Sequence, residues 1–550
     1  MVVAADDFTI RGGSSESAVS DKWVYAERYA HQMRMPLVRL VDTAGGSVRL
    51  LEQQKATKIP GYANWPWMQL LGQAPVVGVA AGACAGLGAI KVAMSHFSVM
   101  TRGVGQVFAG GPPVVKRGIG QEIDKESLGG ADVHVRVSGM VTNEARNEDD
   151  AFDQVRRFLS YMPDNVWSLP PRVTAEVDTT AADAWLDQAI PEDRRKVYDM
   201  RRILKSILDA GSLFEMARPF GGSIITMLGR LDGCAVGVVA NDPRVMGGAL
   251  TAQAARKLER FVDLCDTFHL PIIKFVDQPG VMFGLEAEKA GTLGAAIRAI
   301  SAIEQAIVPW CSVIVRRAFG VGGQMQGPQH GPDGYSLNHR YAWPSARWGS
   351  IPIEGGVSAA FRQELEDSED PDARLSELEE FYHRLSSPFR TAERFGIVDV
   401  IAPRDTRTVL RNWIQDAYGR TRDQLGPRLN ALGRLDDASL AVELLTTGDR
   451  ATARQIAAQL EVLNDQRRQI QDDVTAAALA QVEKHPELLD SPVLVVSGEN
   501  WHRGIIGPVA SRLAEQFRRP AVVFSLPRDA AERAFGSARS WAGVDIAAAF

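Results

Sequence analysis

Two short stretches of the chain carry the same potential chemistry. Ala81-Gly82-Ala83-Cys84-Ala85-Gly86-Leu87-Gly88-Ala89 follows the apolar run Ala74-Pro75-Val76-Val77-Gly78-Val79-Ala80. Arg317-Ala318-Phe319-Gly320-Val321-Gly322-Gly323 follows Cys311-Ser312-Val313-Ile314-Val315. Each apolar run reads as a buried strand. Each stretch after it is too rich in small residues to build a core, but such residues let a ligand come close to the backbone. Backbone N–H groups exposed there can hold a developing negative charge, as an oxyanion hole does. Two such turns in two halves of one chain point to an enzyme with paired anion-stabilising sites. The same residues would also serve as tight strand–helix turns in an ordinary α/β protein.

The elements that must position these turns follow from the pattern around them. Val24 to Met33 reads as a helix, Pro36 to Val41 as a strand, and Asp42-Thr43-Ala44-Gly45-Gly46 as the turn after it. The alternation over residues 1 to 165 argues for βα units. A polar, proline-bearing stretch over 166–194, from Ser168-Leu169-Pro170-Pro171 to Ile190-Pro191-Glu192-Asp193, reads as a linker. A second block, 195–420, opens on a helix (Met200 to Ala210) and repeats the grammar, with strands at Cys234 to Ala240, Ile272 to Asp277 and Cys311 to Val315. The acidic run Glu364 to Asp372 reads as a solvated loop or helix edge.

A third block spans 425–550. Ala453 to Lys484 holds neither Gly nor Pro, and Ile456, Leu460, Leu463, Ile470 and Val474 recur at helical spacing, which predicts one long amphipathic helix. A strand (Val493 to Ser497), a helix (Ile506 to Phe517), a strand (Ala521 to Phe524) and a Gly-Ser turn complete it. Val2 to Ile10 already reads as interior strand and turn, and both ends of the chain look cut.

Composition bounds the function. With 550 residues, 45% of them hydrophobic and 23% charged, the chain reads as a soluble protein of three or four domains at about 150 residues each. A net charge of -6 gives no electrostatic case for binding nucleic acid or a membrane surface as a whole. No apolar run reaches the ~20 residues that span a bilayer, and Met1 to Asp7 has no signal-peptide core. The four cysteines, Cys84, Cys234, Cys265 and Cys311, form no metal-ligand pair. They read as buried thiols of a reduced, cytoplasmic protein with no metal site.

The first two blocks resemble the carboxyltransferase component (β subunit) of biotin-dependent acyl-CoA carboxylases of the propionyl- and acetyl-CoA type, over about 2–415. The likeness rests on an ordered series. It includes Asp7-Phe8-Thr9-Ile10-Arg11-Gly12-Gly13-Ser14, Asp42 to Gly46, Gly82 to Ala89, Gly111-Pro112-Pro113-Val114-Val115-Lys116 and Leu128-Gly129-Gly130-Ala131 with His134. It continues through Gly229-Arg230-Leu231, Val239-Ala240-Asn241-Asp242-Pro243, Phe275-Val276-Asp277-Gln278-Pro279-Gly280, Arg317 to Gly323 and Tyr341-Ala342-Trp343-Pro344. The resemblance implies an α/β fold, a duplicated crotonase-type (ClpP/crotonase) β-β-α superhelix. Its first half would bind acyl-CoA as substrate and its second biotin, as carboxybiotin on a partner carrier. It also implies a biotin carboxylase/biotin carrier subunit as partner, a homo-oligomeric hexamer, and an active site shared between subunits.

In this chemistry an enolate forms on each side, and the cofactor is the base. The thioester oxyanion is assigned to the amides of Gly86 and Leu87, and the biotin oxyanion to those of Val321 and Gly322. The resemblance puts further cofactor contacts at Gly12, Gly13, Ser14, Gly45 and Gly46 on the CoA side, and at Pro279, Gly280 and Gly320 on the biotin side. The family usually has Gly where Leu87 and Val321 stand, so the pocket narrows here. Gln324 matches a position that shapes acyl-chain room. Trp65, Trp67, Trp343 and Trp348 could line the pocket or pack in the core, Lys22 could meet CoA phosphates or solvent, and His134 reads as structural. Family members carry a further N-terminal segment of helices and CoA contacts.

The third block resembles the DHH-associated part of RecJ-type single-strand-specific exonucleases, as a partial α/β domain with a long helix. The likeness rests on Leu425-Gly426-Pro427-Arg428-Leu429-Asn430-Ala431-Leu432-Gly433-Arg434-Leu435, Trp501-His502-Arg503-Gly504-Ile505-Ile506-Gly507 and Gly536-Ser537-Ala538-Arg539-Ser540. Arg434, Arg512 and Arg539 suit phosphate contacts with single-stranded nucleic acid, or structural ion pairs. No DHH tripeptide occurs, so nuclease activity is not expected from this chain. No flexible linker marks the junction near Leu425, and the third block reads as joined by a fusion or an assembly error.

Overall fold

The computed structural model describes residues 1–14, 20–46, 52, 55, 62, 65–174, 183–193, 196–328, 339–394, 396–435, 450–527 and 534–540. The chain divides into two compact units, Met1–Thr421 and Arg422–Phe550.

The first unit is built on two sheets. In the first, β1 (Val2–Ala5), β2 (Leu37–Thr43), β3 (Val76–Ala85), β4 (Phe97–Thr101) and β6 (Asn143–Ala145) lie in that order, and β5 (Gln106–Phe108) pairs with the far end of β3. All of these pairings are parallel. β3 and β4 are largely buried, as the runs of Val, Ala and Phe require of a sheet covered on both faces. β1 sits at the sheet edge with Val3 exposed, and a turn follows at 8–10.

The second sheet holds β7 (Phe214–Met216), β8 (Ile224–Leu231), β9 (Cys234–Asn241), β10 (Ile272–Gln278), β11 (Trp310–Phe319), β12 (His339–Ala342), β13 (Arg347–Gly349) and β14 (Asp399–Val400). Its order is β14-β12-β11-β10-β9-β8-β7, with β13 on the far end of β11. Strands β7 to β9 are antiparallel and the rest parallel. The β8–β9 hairpin closes through Asp232 and Gly233, both at positive φ, the geometry an Asp-Gly pair provides. Phe97 of the first half stacks on Phe158 at 5.0 Å and meets Phe214 of the second edge-on at 5.5 Å, so one core serves both sheets.

The stretch expected as a linker is partly core. Ala184–Gln188 forms a single 3-10 turn, and Leu186 and Ala189 are buried against Met200, Ile203 and Trp413. Residues 175–182 and 194–195 of it lie outside the described residues. The acidic run is helix Arg362–Glu366, a turn, and the start of helix Pro371–Leu385.

In the second unit, helix Arg450–Lys484 is followed by β15 (Leu494–Glu499), helix Arg503–Phe517, β16 (Ala521–Leu526) and β17 (Phe535–Arg539). β15 and β16 are parallel and β17 is antiparallel to β16. Val474, Ala478 and Val482 of the long helix pack with Val509, Leu513 and Val523. The expected Gly-Ser turn is instead strand: Gly536 and Ser537 pair with Phe524 and Val523. A glycine there fits because an added Cβ would lie 2.5 Å from the Phe524 ring.

Candidate active site

The two glycine-rich stretches sit at the same point of two copies of one device. β2 pairs with β3 from Leu37↔Val76 to Val41↔Ala80, then slips to Thr43↔Cys84. β10 pairs with β11 from Ile272↔Trp310 to Val276↔Ile314, then slips to Gln278↔Ala318. The last three residues of β3 pair with β5, and the last three of β11 with β13. These registers equate Arg39, Asp42, Thr43 and Gly45 with Lys274, Asp277, Gln278 and Gly280. They likewise equate Gly86, Leu87 and Gly88 with Gly320, Val321 and Gly322.

The strands run further than the sequence suggests, so each turn shrinks to one residue. Gly86, at φ 57, separates β3 from helix Leu87–Ala93, and Gly320, at φ 60, stands at the head of helix Gly320–Gln324. A left-handed residue turns the chain sharply there, which glycine alone does without strain. Leu87 then begins its helix with an N–H that has no intrahelical acceptor.

The geometry around the expected donors differs between the two turns. The Gly86 N–H is already donated to the Phe108 carbonyl at 3.1 Å, which leaves Leu87 as the open member of that pair. By register, Gly86 and Leu87 correspond to Gly320 and Val321 on the second side, whereas the sequence reading names Val321 and Gly322. Gly322 is buried where the helix packs on the loop before it: an added Cβ would lie 3.0 Å from the Gly280 backbone. Gly88 does the same in the first half, 2.3 Å from the Thr43 methyl. Gly322 is buried, whereas Val321 is 46% exposed.

A cavity of 460 Å³ opens at the second turn, lined among others by Gly320, Val321, Gln324, Arg340, Trp348 and Ser350. Gln324 and Trp348 both line this cavity, and Trp348 also packs against the buried cluster of Ile314 and Ala342. Trp348 is steadied by its N–H to Thr391 Oγ1 at 3.1 Å. Trp343 is buried, donates to Thr406 Oγ1 at 2.9 Å, and belongs to the core. Trp65 stacks on Trp67 and bonds Glu27.

The predicted CoA-side residues converge. Ala44 N–H donates to the Gly12 carbonyl at 2.8 Å. A Cβ on Gly13 would strike the Asp42 carbonyl, and one on Gly45 would lie 3.0 Å from the Ala85 carbonyl. Gly12, Gly13, Gly45 and Gly86 thus form one continuous backbone surface, with the buried Ser14 at one end and Gly46, open on the Cβ side, beside Gly45. Pro279 and Gly280 line the corresponding loop of the second half, where the Leu250 N–H holds the Gly280 carbonyl at 3.0 Å. Lys22 is exposed on its helix. The His134 ring bonds Ser138 Oγ at 3.0 Å, and burial lowers its pKa, both in keeping with a structural histidine.

Sequence reasoning missed the polar groups behind the turns. Asp277 accepts from Tyr198 Oη at 2.9 Å, Arg316 Nε at 3.0 Å and Arg317 Nε at 2.6 Å. In the first half Arg39 grips both oxygens of Glu27 at 2.9 Å, and Lys91 lies 3.5 Å from Asp6. Burial pushes the Asp6 carboxyl up and the Lys91 ammonium down. The signal was present as a repeat: Arg39-Leu40-Val41-Asp42 with Gly45, and Lys274-Phe275-Val276-Asp277 with Gly280.

In the second unit, Arg512 faces Asp472 at 3.3 Å and Arg539 Nη1 donates to Ser537 Oγ at 3.1 Å. The Arg434 side chain lies outside the described residues. All four cysteines are buried free thiols. Among the described residues no helix is long and apolar enough to cross a membrane.

Fold and site together define an α/β carboxyltransferase of the crotonase-like class. The model of the carboxyl transferase domain matches residues 1–430. The chain is 35% identical over 411 residues to a propionyl-CoA carboxylase carboxyltransferase subunit from Haloferax mediterranei, covering 74% of this chain and 78% of that one. It is 32% identical over 408 residues to the methylmalonyl-CoA carboxyltransferase 12S subunit of Propionibacterium freudenreichii, covering 74% and 76%. A crystal structure of transcarboxylase 12S, a hexamer with methylmalonyl-coenzyme A and methylmalonic acid bound, aligns with a TM-score of 0.67 at 29% identity over 76% of this chain and 79% of that one. The chain belongs to the carboxyl transferase domain family, as the transferase component of a biotin-dependent acyl-CoA carboxylase. The domain match ends at residue 430, and the RecJ-type likeness of 425–550 finds no support among these relatives.

Proposed function

We propose that the chain transfers a carboxyl group from carboxybiotin to the α-carbon of a short acyl-CoA of the propionyl/methylmalonyl kind. The observation that carries this reading is the repetition of the strand–glycine–helix device in one register. A reaction that develops negative charge on two different oxygens needs two such devices. Carboxybiotin, borne on a separate carrier subunit charged by a biotin carboxylase, supplies both the carboxyl group and the base.

The chain's own part is to bind, orient and stabilise. Leu87 N–H, beside Gly86, faces the thioester oxygen; Val321 N–H, beside Gly320, faces the biotin oxygen. The 460 Å³ cavity at Gly320 is the space on that side open to the biotin ring. The backbone surface of Gly12, Gly13, Ser14, Gly45 and Gly46 lies along the acyl-CoA side. The relatives' names favour propionyl-CoA over acetyl-CoA. The hexamer of transcarboxylase 12S supports a homo-oligomer here.

The test runs the reaction backwards with free biotin. Methylmalonyl-CoA plus biotin should yield propionyl-CoA and carboxybiotin in equal amounts. No transfer from methylmalonyl-CoA or malonyl-CoA would overturn the activity; preference for malonyl-CoA would overturn only the substrate.

A further inference from the structure

Arg39 on β2 and Lys274 on β10 stand at equivalent points of the repeat, each three residues before the aspartate. Arg39 Nη1 donates to the Met94 carbonyl at 2.8 Å and to the Lys91 carbonyl at 3.2 Å. Met94 is the residue that ends helix Leu87–Ala93. Lys274 Nζ donates to the carbonyl of Met325, the residue that ends helix Gly320–Gln324. Each half therefore has a buried cation gripping the last carbonyls of the short helix whose head forms the glycine turn. Cations at that end complement the unpaired carbonyls and the helix dipole.

The two cations are balanced differently. Arg39 is neutralised by the two oxygens of Glu27. Lys274 is 1% exposed, and no carboxylate pairs with it among the described residues. Burial lowers its ammonium to about 7. A buried lysine with no carboxylate beside it among the described residues is costly, and the bond it makes is to the end of the helix, which points to a task other than stability. The neighbouring carbonyl, Gln326, is held by the Ser312 hydroxyl, so the Met325–Gln326 segment is anchored at two successive points.

We propose that Lys274 is a positioning residue that sets the helix Gly320–Gln324, and with it the Gly320–Val321 turn, on the biotin side of the site. Arg39 does the same for Leu87 on the thioester side. The assignment rests on the functional reading above.

The test measures steady-state transfer from methylmalonyl-CoA to free biotin by the full chain, with Lys274→Met and Lys274→Arg beside the wild type. Lys274→Met should raise KM for biotin about tenfold to a hundredfold, the scale of one charged hydrogen bond. KM for methylmalonyl-CoA should not move, and Lys274→Arg should restore most of the loss. A merely structural lysine would shift both constants together or neither, and either result overturns the assignment. Should Lys274→Met fail to fold, judged by its thermal midpoint, Lys274→Gln replaces it: a neutral donor too short to reach the Met325 carbonyl must raise the biotin constant alone. A wild type that transfers nothing overturns the functional reading and this assignment with it, whereas an active wild type with an unmoved biotin constant overturns the assignment alone.

Discussion

Asp42 and Asp277 occupy the same position in the two halves of the chain and stand in opposite electrostatic surroundings. Asp277 is fully buried between the guanidinium groups of Arg316 and Arg317. The position of Arg316 is taken in the first half by Gly82, and an added Cβ there would lie 2.2 Å from Asp42 Oδ1. Burial pushes the Asp42 carboxyl up, against the Ala83 N–H and Lys125. Replacing Asp277 by Asn would remove the buried carboxylate that Arg316 and Arg317 share, at a cost of about 3–5 kcal/mol in denaturant unfolding. Asp42→Asn removes no ion pair, so it should cost less than 1 kcal/mol on the scale of ordinary substitutions. Equal losses in the two variants would mean the surroundings are not as different as the contacts imply.

Gly86 separates two effects that a single substitution usually mixes. Its Cβ position is open, the nearest atom being the Ala109 carbonyl at 3.9 Å. Gly86→Ala therefore meets only the backbone penalty of φ 57, ψ -113, about 1–3 kcal/mol, and should fold with reduced turnover. Gly86→Pro loses the N–H held by Phe108 and cannot adopt φ 57, so transfer should be abolished. Product formation by the proline variant would remove this turn from the reaction.

The strands of the first unit were legible because apolar runs such as Val76 to Ala80 and Ile272 to Asp277 have few other uses. Both turns were legible from their glycines. Which residue makes the second turn was not legible: Gly320-Val321-Gly322-Gly323 offers several glycines, and only strand pairing and φ single out Gly320. The buried ion pairs were invisible for a different reason. Glu27 lies in helix Ser20–Gln32 and Arg39 in β2, and nothing local marks two charges of opposite sign as partners. Gly536-Ser537 looked like a turn because its pairing with β16 is a tertiary fact.

His96 gives the first unit a pH response of definite sign. Its Nδ1 accepts the Val76 N–H at 2.9 Å, and its Nε2 lies 2.9 Å from the Leu71 carbonyl, so the folded ring is neutral. Burial lowers its pKa from 6.5 to about 4. Between those values the unfolded chain takes up a proton that the folded chain refuses. Stability is therefore complete above pH 6.5 and falls as pH drops toward 4, by at most about 3 kcal/mol. His96→Gln should flatten the unfolding free energy over that window, and an unchanged slope would place the acid response elsewhere.

Gln278 is the joint of the second turn. Its Nε2 donates to the Gly280 carbonyl at 2.7 Å, and its Oε1 accepts from Asn241 Nδ2 at 2.7 Å. Asn241 in turn receives the Asp277 N–H at 3.2 Å and donates to the Gly248 carbonyl at 3.1 Å. Thr43, its counterpart, accepts the Gly45 N–H at 3.1 Å, so in each half this side chain braces the glycine that faces the turn. Gln278→Ala leaves the Gly280 carbonyl with the Leu250 N–H alone, at a cost of about 0.5–1.5 kcal/mol in unfolding. Because Gly322 packs against Gly280, the slack should reach the Gly320–Val321 turn and lower kcat for transfer to biotin. Gln278→Glu keeps one acceptor but loses the donor to Gly280, so it should restore stability less than it restores shape. Full turnover in Gln278→Ala, measured at a temperature where the variant is folded, would show that the loop does not set the turn.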